Sequence, residues 1–116
     1  MGEMSERLQE VNRLLVQLRK RYPAETEAFL NFMMKAEAGP ALSKREKELI
    51  NVALAVAAQC EWCIAFHVRN ALQAGATQDE IVEAGWQAVL MHGGPALMHL
   101  VPLMQALDEF SKETMA

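Results

Sequence analysis

Residues 43–67 read SKREKELINVALAVAAQCEWCIAFH and contain the strongest helix signals in the chain. Ser43 and Glu46 have the spacing of a capping box, in which a hydroxyl and a carboxylate satisfy two free backbone amides at a helix start. Residues 49–58, which follow, are apolar on almost every side, and a helix of that kind lies in the middle of a core or an assembly. The stretch therefore predicts a buried helix that opens at Ser43.

The rest of the chain also has helical periodicity, interrupted by residues that end helices. Apolar residues spaced three and four apart mark one face of a first helix: Leu8, Val11, Leu14, Leu15 and Leu18. The interruptions are Tyr22-Pro23, Gly39-Pro40, Gly75, a second capping box at Thr77 and Glu80, and Gly93-Gly94-Pro95. No segment alternates with period two for long enough to predict a strand. The predicted fold class is therefore all-α: a single domain over residues 1–116 with about six helices, in which 1–22 form an N-terminal helix and 23–110 the core.

The composition is that of an acidic, well-folded domain. Of 116 residues, 52% are hydrophobic and 22% are charged, and the net charge is −4. A chain with this charge and no cluster of Lys and Arg is not expected to bind nucleic acid. The charged N-terminus and the short apolar runs predict neither a secretory signal nor a membrane span, so we expect a cytoplasmic protein. The high apolar share predicts a homo-oligomer, because exposed apolar patches tend to mark contacts between proteins.

The only two cysteines, Cys60 and Cys63, are three residues apart, and His67 follows four residues after the second. On a helix that begins near the cysteines, Cys63 falls in the first turn, where unpaired amides favour a thiolate. His67 then lies on the same face one turn later, and its imidazole can accept the thiol proton directly or through one water. In a cytoplasmic protein, a close cysteine pair is more typical of catalysis or metal binding than of a structural disulfide.

The residues alone leave three interpretations of this cluster open. The first is a redox pair with its own base, and the second is two buried small hydrophobic side chains. The third is a non-catalytic metal- or partner-binding helical oligomer, in which Cys60, Cys63 and His67 supply three metal ligands and Glu48 or a C-terminal histidine supplies a fourth. Structural zinc sites usually draw on a second, separated ligand pair, which is not evident here, so we predict no metal and no cofactor.

Glu48 is a further acidic candidate, twelve residues before Cys60. Along one straight helix that separation is about 18 Å. If the next helix folds back antiparallel, the register still leaves a gap between Glu48 and His67, which a bridging water or a steep crossing angle would have to close. Spacing alone therefore predicts an exposed glutamate in the first turns of a helix rather than a site residue.

Taken together, the four residues form a pattern that is found in a known family. Glu48, Cys60, Cys63 and His67 satisfy E-x(11)-C-x-x-C-x-x-x-H, which resembles the core motif of the AhpD-like alkylhydroperoxidases of the carboxymuconolactone decarboxylase superfamily. The break at 93–95 is similar to that superfamily as well, and the resemblance covers roughly residues 23–110. The decarboxylase branch lacks the cysteine pair, so the resemblance implies redox chemistry rather than lactone decarboxylation.

This resemblance implies a thiol peroxidase. Cys63 would attack a hydroperoxide and become a sulfenic acid, and Cys60 would donate a proton and then resolve that acid to a Cys60–Cys63 disulfide. Glu48 and His67 would act as a proton relay, and an external dithiol protein of lipoyl or thioredoxin type would reduce the disulfide. Members of the family commonly form trimers or hexamers. This chain departs from the family at Trp62, where peroxidases often carry a histidine, so a donor near the sulfur is replaced.

Overall fold

The computed structural model describes residues 2–115 and the side chains of residues 2–113. The helices are α1 (Glu3–Arg21), α2 (Pro23–Ala38), α3 (Lys44–Ala57), α4 (Glu61–Gln73), α5 (Gln78–His92), α6 (Gly94–Met98) and α7 (Leu100–Met115). The all-α prediction is confirmed, because the described residues contain no strand. Six helices have 13 to 19 residues. The five-residue α6 separates α5 from α7. The sequence pattern did not predict α6 as a separate element.

The predicted helix starts are confirmed at both capping boxes. The Ser43 hydroxyl accepts the backbone N–H of Glu46 at 3.1 Å, and the Glu46 carboxylate accepts the backbone N–H of Ser43 at 2.9 Å. Thr77 and Glu80 make the same reciprocal pair of bonds at the start of α5. These bonds join residues three apart, so the local sequence is enough to specify where α3 and α5 begin.

The core lies around α4, which packs against α1, α3 and α7. Its buried residues are all aliphatic: Ile64, Ala65, Val68, Ala71 and Leu72. The apolar residues of α3 that face it, Val52, Ala55 and Val56, are almost fully buried, as the sequence pattern predicts for this helix. Because α4 lies at the centre, Cys63 in its first turn packs against the hydrophobic core, whereas Glu61 and Trp62 beside it are exposed.

Large apolar side chains remain exposed on other faces of the chain. Phe29 and Phe32 on α2 are 61% and 65% exposed, and Leu90 and Met91 at the end of α5 are 75% and 77% exposed. α2 buries only Thr26 fully, so most of its apolar surface has no partner within the described chain. None of the helices in residues 2–115 is long and apolar enough to cross a membrane.

Candidate active site

The connection between α3 and α4 brings the site together. Only residues 58–60 separate the two helices. The N–H groups of Gln59 and Cys60 donate to the carbonyls of Val56 (3.0 Å) and Ala55 (3.2 Å), the paired bonds of a Schellman motif. Gln59 adopts the left-handed conformation that this motif requires, with φ 57°. The chain therefore reverses within three residues, and α4 runs back along α3.

Cys60 and Cys63 form a disulfide at the start of α4, with their Cα atoms 5.2 Å apart. Cys60 is the N-cap of α4, and its Sγ accepts the backbone N–H of Cys63 at 3.1 Å. Both cysteines are half-buried, and Cys63 packs against the hydrophobic core. The sulfurs are thus close enough to exchange between dithiol and disulfide, and free amides at the helix start favour a thiolate there.

Glu48 lies inside the molecule, in direct contact with His67. Its residue is 2% exposed, and its Oε1 is 2.8 Å from Nδ1 of His67. The prediction from spacing, an exposed glutamate separated from His67 by a gap, is therefore wrong. The short left-handed turn at Gln59 lets α3 and α4 pack closely enough for the two side chains to meet without a water between them. His67 lies one turn after Cys63 on the same helix, so the carboxylate holds an imidazole one turn from a cysteine.

Two opposing effects act on the pKa of Glu48. Burial raises it, since a carboxylate inside the protein loses hydration. Hydrogen bonds from His67 and Asn51, together with the charges of His67 and Lys44, lower it, and the balance places the pKa of Glu48 below its usual range. Glu48 is accordingly ionised at neutral pH and remains an acceptor for the Nδ1–H of His67.

Two residues that the sequence reasoning missed extend the hydrogen bonds of Glu48: Asn51 contacts Glu48, and Glu37 contacts Asn51. Asn51 donates from Nδ2 to Oε1 of Glu48 at 3.2 Å, and it also donates to Oε1 of Glu37 at 3.0 Å. Asn51 stands one turn after Glu48 in a helix segment that is otherwise apolar, and a lone amide in such a segment is the signal that could have found it. Glu37 lies on α2, and nothing in the sequence connects it with the motif.

Trp62, which lies between the two cysteines in sequence, contacts two side chains of α1. Its indole Nε1 donates to Oε1 of Glu10 at 3.3 Å, and the guanidinium of Arg7 lies 5.4 Å from the centre of its ring. Arg7 also approaches Glu61, with 3.8 Å between Nε and the carboxylate. The indole N–H is therefore directed to α1, and both residues between the cysteines are contacted by a helix that the motif does not include.

A cavity of about 300 Å³ opens beside the buried end of the site, between α2, α3 and α4. Its wall combines apolar side chains with charged and amide groups: Met33, Met34, Glu37, Lys44, Glu48, Phe66, Asn70, Gln73 and Ala74. The cysteines do not line it. The cavity thus reaches Glu48 from the side of α2, away from the sulfur atoms.

The metal interpretation gains no support from this geometry. Within the described residues, no group of three or more His, Cys, Asp and Glu side chains is arranged to hold a metal ion. The two sulfurs are bonded to each other, and Nδ1 of His67 is taken by Glu48. The four residues are instead brought together as a disulfide and a carboxylate–imidazole pair.

The family model of carboxymuconolactone decarboxylases, "Carboxymuconolactone decarboxylase family", matches residues 23–106. The chain belongs to this family. Two curated relatives support the assignment: "Uncharacterized protein 4 in cox locus" of Paracoccus denitrificans is 45% identical over 83 residues, which is 72% of this chain and 75% of the relative. An uncharacterized protein of Cupriavidus necator is 37% identical over 106 residues, covering 91% of this chain and 94% of the relative.

Two solved structures of the carboxymuconolactone decarboxylase family share the fold. The apo crystal structure of a family member from Legionella pneumophila superposes with a TM-score of 0.91 at 37% identity, over 96% of this chain and 99% of that one. A Thermotoga maritima family member, described as "possibly involved in antioxidative response", superposes with a TM-score of 0.81 at 27% identity, over 90% of each chain. The expected resemblance to AhpD-like members of the superfamily is thereby confirmed for the fold and the family.

Proposed function

We propose that this protein is a thiol-dependent peroxidase and disulfide oxidoreductase that acts through a Cys60–Cys63 dithiol–disulfide cycle. The observation that carries the proposal is the buried Glu48–His67 hydrogen bond of 2.8 Å, one helical turn from a cysteine pair at the start of α4. An imidazole held by a carboxylate beside a thiol is the arrangement that activates a sulfur nucleophile. Family membership and the description of the Thermotoga maritima relative agree with redox chemistry.

The cycle begins when Cys63 attacks a hydroperoxide. His67 accepts the Cys63 proton, the thiolate attacks the terminal oxygen, the O–O bond breaks, and the alkoxide leaves as an alcohol after taking that proton. Cys63 is now a sulfenic acid. The Cys60 sulfur attacks it, the S–O bond breaks, and water leaves with the Cys60 proton. Two thiols have supplied the two electrons that reduce the peroxide, and the Cys60–Cys63 disulfide has formed.

Glu48 and His67 have distinct roles in this proposal. Glu48 accepts the Nδ1–H of His67, and this bond selects the neutral tautomer whose Nε2 carries a lone pair. Nε2 is then free to accept the proton of Cys63, directly or through one water. Glu48 also stabilises the imidazolium that forms, since a carboxylate lies 2.8 Å from its ring. His67 is thus the proton acceptor, and Glu48 orients it.

A second protein is needed to complete the cycle. We propose an external dithiol of lipoyl or thioredoxin type, which attacks the half-exposed disulfide. The dithiol gives up two electrons and leaves as its own disulfide, and Cys60 and Cys63 return to thiols. We also propose that the protein acts in the cytoplasm as a homo-oligomer, a trimer or a hexamer. The exposed apolar faces of α2 and of the end of α5 support the oligomer, because surfaces of this kind tend to mark subunit contacts.

Single-turnover oxidation of the reduced protein tests the function. Titration of free thiols before and after one equivalent of several hydroperoxides should show two thiols lost per chain, and lipoyl- and thioredoxin-type donors should then be compared as reductants. Cys63→Ser should abolish the peroxide-driven loss of thiol, and persistence of that loss would contradict the role of Cys63.

Protein purified without chelator should contain less than one equivalent of zinc; a full equivalent would favour the metal-binding alternative.

A further inference from the structure

Asn51 joins two carboxylates that come from different helices. Its Nδ2 lies 3.2 Å from Oε1 of Glu48 on its own helix and 3.0 Å from Oε1 of Glu37 on α2. Because both partners are carboxylate oxygens, only the amide nitrogen can face them, and each takes one of its two protons. The donor capacity of the Asn51 amide is therefore fully used, and its orientation is fixed by two acceptors.

Asn51 and His67 donate hydrogen bonds to the same oxygen of Glu48. Oε1 of Glu48 accepts from Nδ1 of His67 at 2.8 Å and from Nδ2 of Asn51 at 3.2 Å. Two donors on one oxygen define the position of that oxygen better than one donor does, and both favour the ionised carboxylate. Asn51 thereby limits rotation of the Glu48 carboxylate away from His67.

Glu37 is held where it meets Asn51 by contacts of both its side chain and its backbone. Its Oε2 is buried and has no hydrogen-bond partner among the described residues. The contact of its Oε1 with Asn51 is therefore the one that orients this carboxylate. The backbone near Glu37 is also anchored, because Nζ of Lys47 donates to the Glu37 carbonyl at 2.8 Å and to the Gly39 carbonyl. The end of α2 is thus fixed against α3 where Glu37 meets Asn51.

We propose that Asn51 is a positioning residue of the redox site and that Glu37 orients it, so that the Glu48 carboxylate faces Nδ1 of His67. The hydrogen-bond order is Glu37, Asn51, Glu48 and His67, and it ends one turn from Cys63. α2 therefore contributes to the site although it contains none of the motif residues. The kinetic consequence rests on the proposed peroxidase function, whereas the geometric claim concerns only Glu48 and His67.

Asn51→Leu tests the proposal, with Asn31→Leu on an exposed position of α2 as the matched control. The leucine keeps similar volume and removes both donated bonds. We expect the pKa of Glu48, followed by carbon NMR of labelled glutamate, to rise by about one pH unit, since a lost bond to a charged group has an effect of that size. Nitrogen NMR should show His67 leaving the pure Nδ1–H tautomer, and oxidation by hydrogen peroxide should slow in the same variant.

Glu37→Gln and Glu37→Leu provide an independent pair of variants. Both remove the same charge, but only glutamine keeps an oxygen that accepts from Asn51, so the difference between them isolates the hydrogen bond. We expect the His67 tautomer of Glu37→Gln to match the wild type and that of Glu37→Leu to become mixed. Identical spectra for the two variants, or an unchanged titration of Glu48 in Asn51→Leu, would overturn the proposal.

These measurements also separate this inference from the proposed function. The titration of Glu48 and the tautomer of His67 are read without turnover. If the wild type loses no thiols to any hydroperoxide while Asn51→Leu shifts the titration, the peroxidase function fails and the positioning role stands. If peroxide oxidises the wild type and Asn51→Leu alike with unchanged spectra, the function stands and the positioning role is refuted.

Discussion

The two junctions that flank α4 are closed by the same pair of backbone hydrogen bonds but are made from different residues. At the end of α4, the N–H groups of Gly75 and Ala76 donate to Leu72 and Ala71, and Gly75 has φ 95°. At the end of α3, the left-handed position is held by Gln59 instead. A side chain costs about 1–2 kcal/mol in that conformation, and glycine does not bear this cost.

The two junctions also differ in the residues that begin the following helix, α5 after Gly75 and α4 after Gln59. After Gly75, α5 begins with the capping box of Thr77 and Glu80, which starts the helix, and Glu80 also pairs with Arg45 of α3. After Gln59, α4 begins with Cys60, whose sulfur is both N-cap and half of the disulfide. Backbone strain of this kind clusters at functional sites. The comparison indicates that the second junction is built for stability and the first for chemistry.

Cys60→Ser should produce the largest effect, a complete loss of disulfide formation. Serine remains a good N-cap, so α4 should still form, but Cys63 has no partner to resolve its sulfenic acid. Mass spectrometry after peroxide and a sulfenic-acid trap should find one adduct per chain, on Cys63. Thr77→Ala is the control at the other junction: it should cost about 1 kcal/mol of unfolding free energy and leave the oxidation rate unchanged. If the trap finds no adduct on Cys63 in Cys60→Ser, the chemical role given to the first junction is contradicted.

Glu48→Gln should have the next largest effect, on both rate and stability. Its carboxylate has a pKa below that of an unfolded glutamate, so its stabilising contribution is present at neutral pH and is lost as the pH falls through the folded-state pKa. We expect slower oxidation and a loss of about 1–3 kcal/mol at pH 7 from the buried hydrogen bonds. Urea unfolding between pH 7 and pH 3 should then show a weaker acid dependence in the variant than in the wild type.

Glu80→Gln is the control for that pH dependence at the second junction. Hydrogen bonding to the Thr77 backbone is the main reason that the pKa of Glu80 also lies below its usual range, so the sign of the effect is the same. Glu80 lies at the surface and pairs there with Arg45, where water and salt screen its interactions. A larger loss of acid dependence in Glu80→Gln than in Glu48→Gln would contradict the importance given to the buried pair.

Gly75→Ala should destabilise the protein by about 1–2 kcal/mol. A Cβ at this position meets no atom within 4 Å, so the change acts through the backbone conformation alone. The unfolding free energy, measured in urea at fixed protein concentration, reports it. Oxidation by peroxide should keep its wild-type rate, and a slower rate would show that the second junction also affects the site.

Gln59→Gly should give the smallest effect, a gain of about 0.5 kcal/mol. Relief of the left-handed side chain is partly offset by the greater flexibility of glycine in the unfolded chain. The same urea experiment measures it. If the variant is more stable but is oxidised more slowly, the strained glutamine at the first junction serves the site; a loss of stability would refute the account of strain at Gln59.

The parts of the molecule that depend on neighbouring residues were predictable from sequence. Ser43 and Glu46 specify a helix start because their bonds span three residues, and Gly75 specifies a helix end because few other residues tolerate its backbone angles. The relation of Cys63 to His67 follows from helix geometry in the same manner. The motif therefore located the candidate site, and the resemblance built on it led to the family.

Contacts between helices were not predictable in this way. Spacing along the chain indicated an exposed Glu48, yet the residue is buried against His67, because the register of α3 on α4 depends on a left-handed glutamine that no pattern announced. Glu37 and Asn51 are fourteen residues apart and meet through the same packing. Arg7 and Glu10 meet Trp62 across about fifty residues.

The sequence by itself thus determined the six long helices, the starts of α3 and α5, the end of α4 at Gly75 and the cysteine pair with its histidine, since all of these rest on interactions within one or two turns. Only the tertiary structure decided which side chains surround them: Glu48 as the partner of His67, Asn51 and Glu37 behind it, and α1 against Trp62. The physical reason is that helix formation follows local hydrogen bonding, whereas the contacts between helices depend on how whole faces pack, and a shift of one residue in that packing would replace every partner.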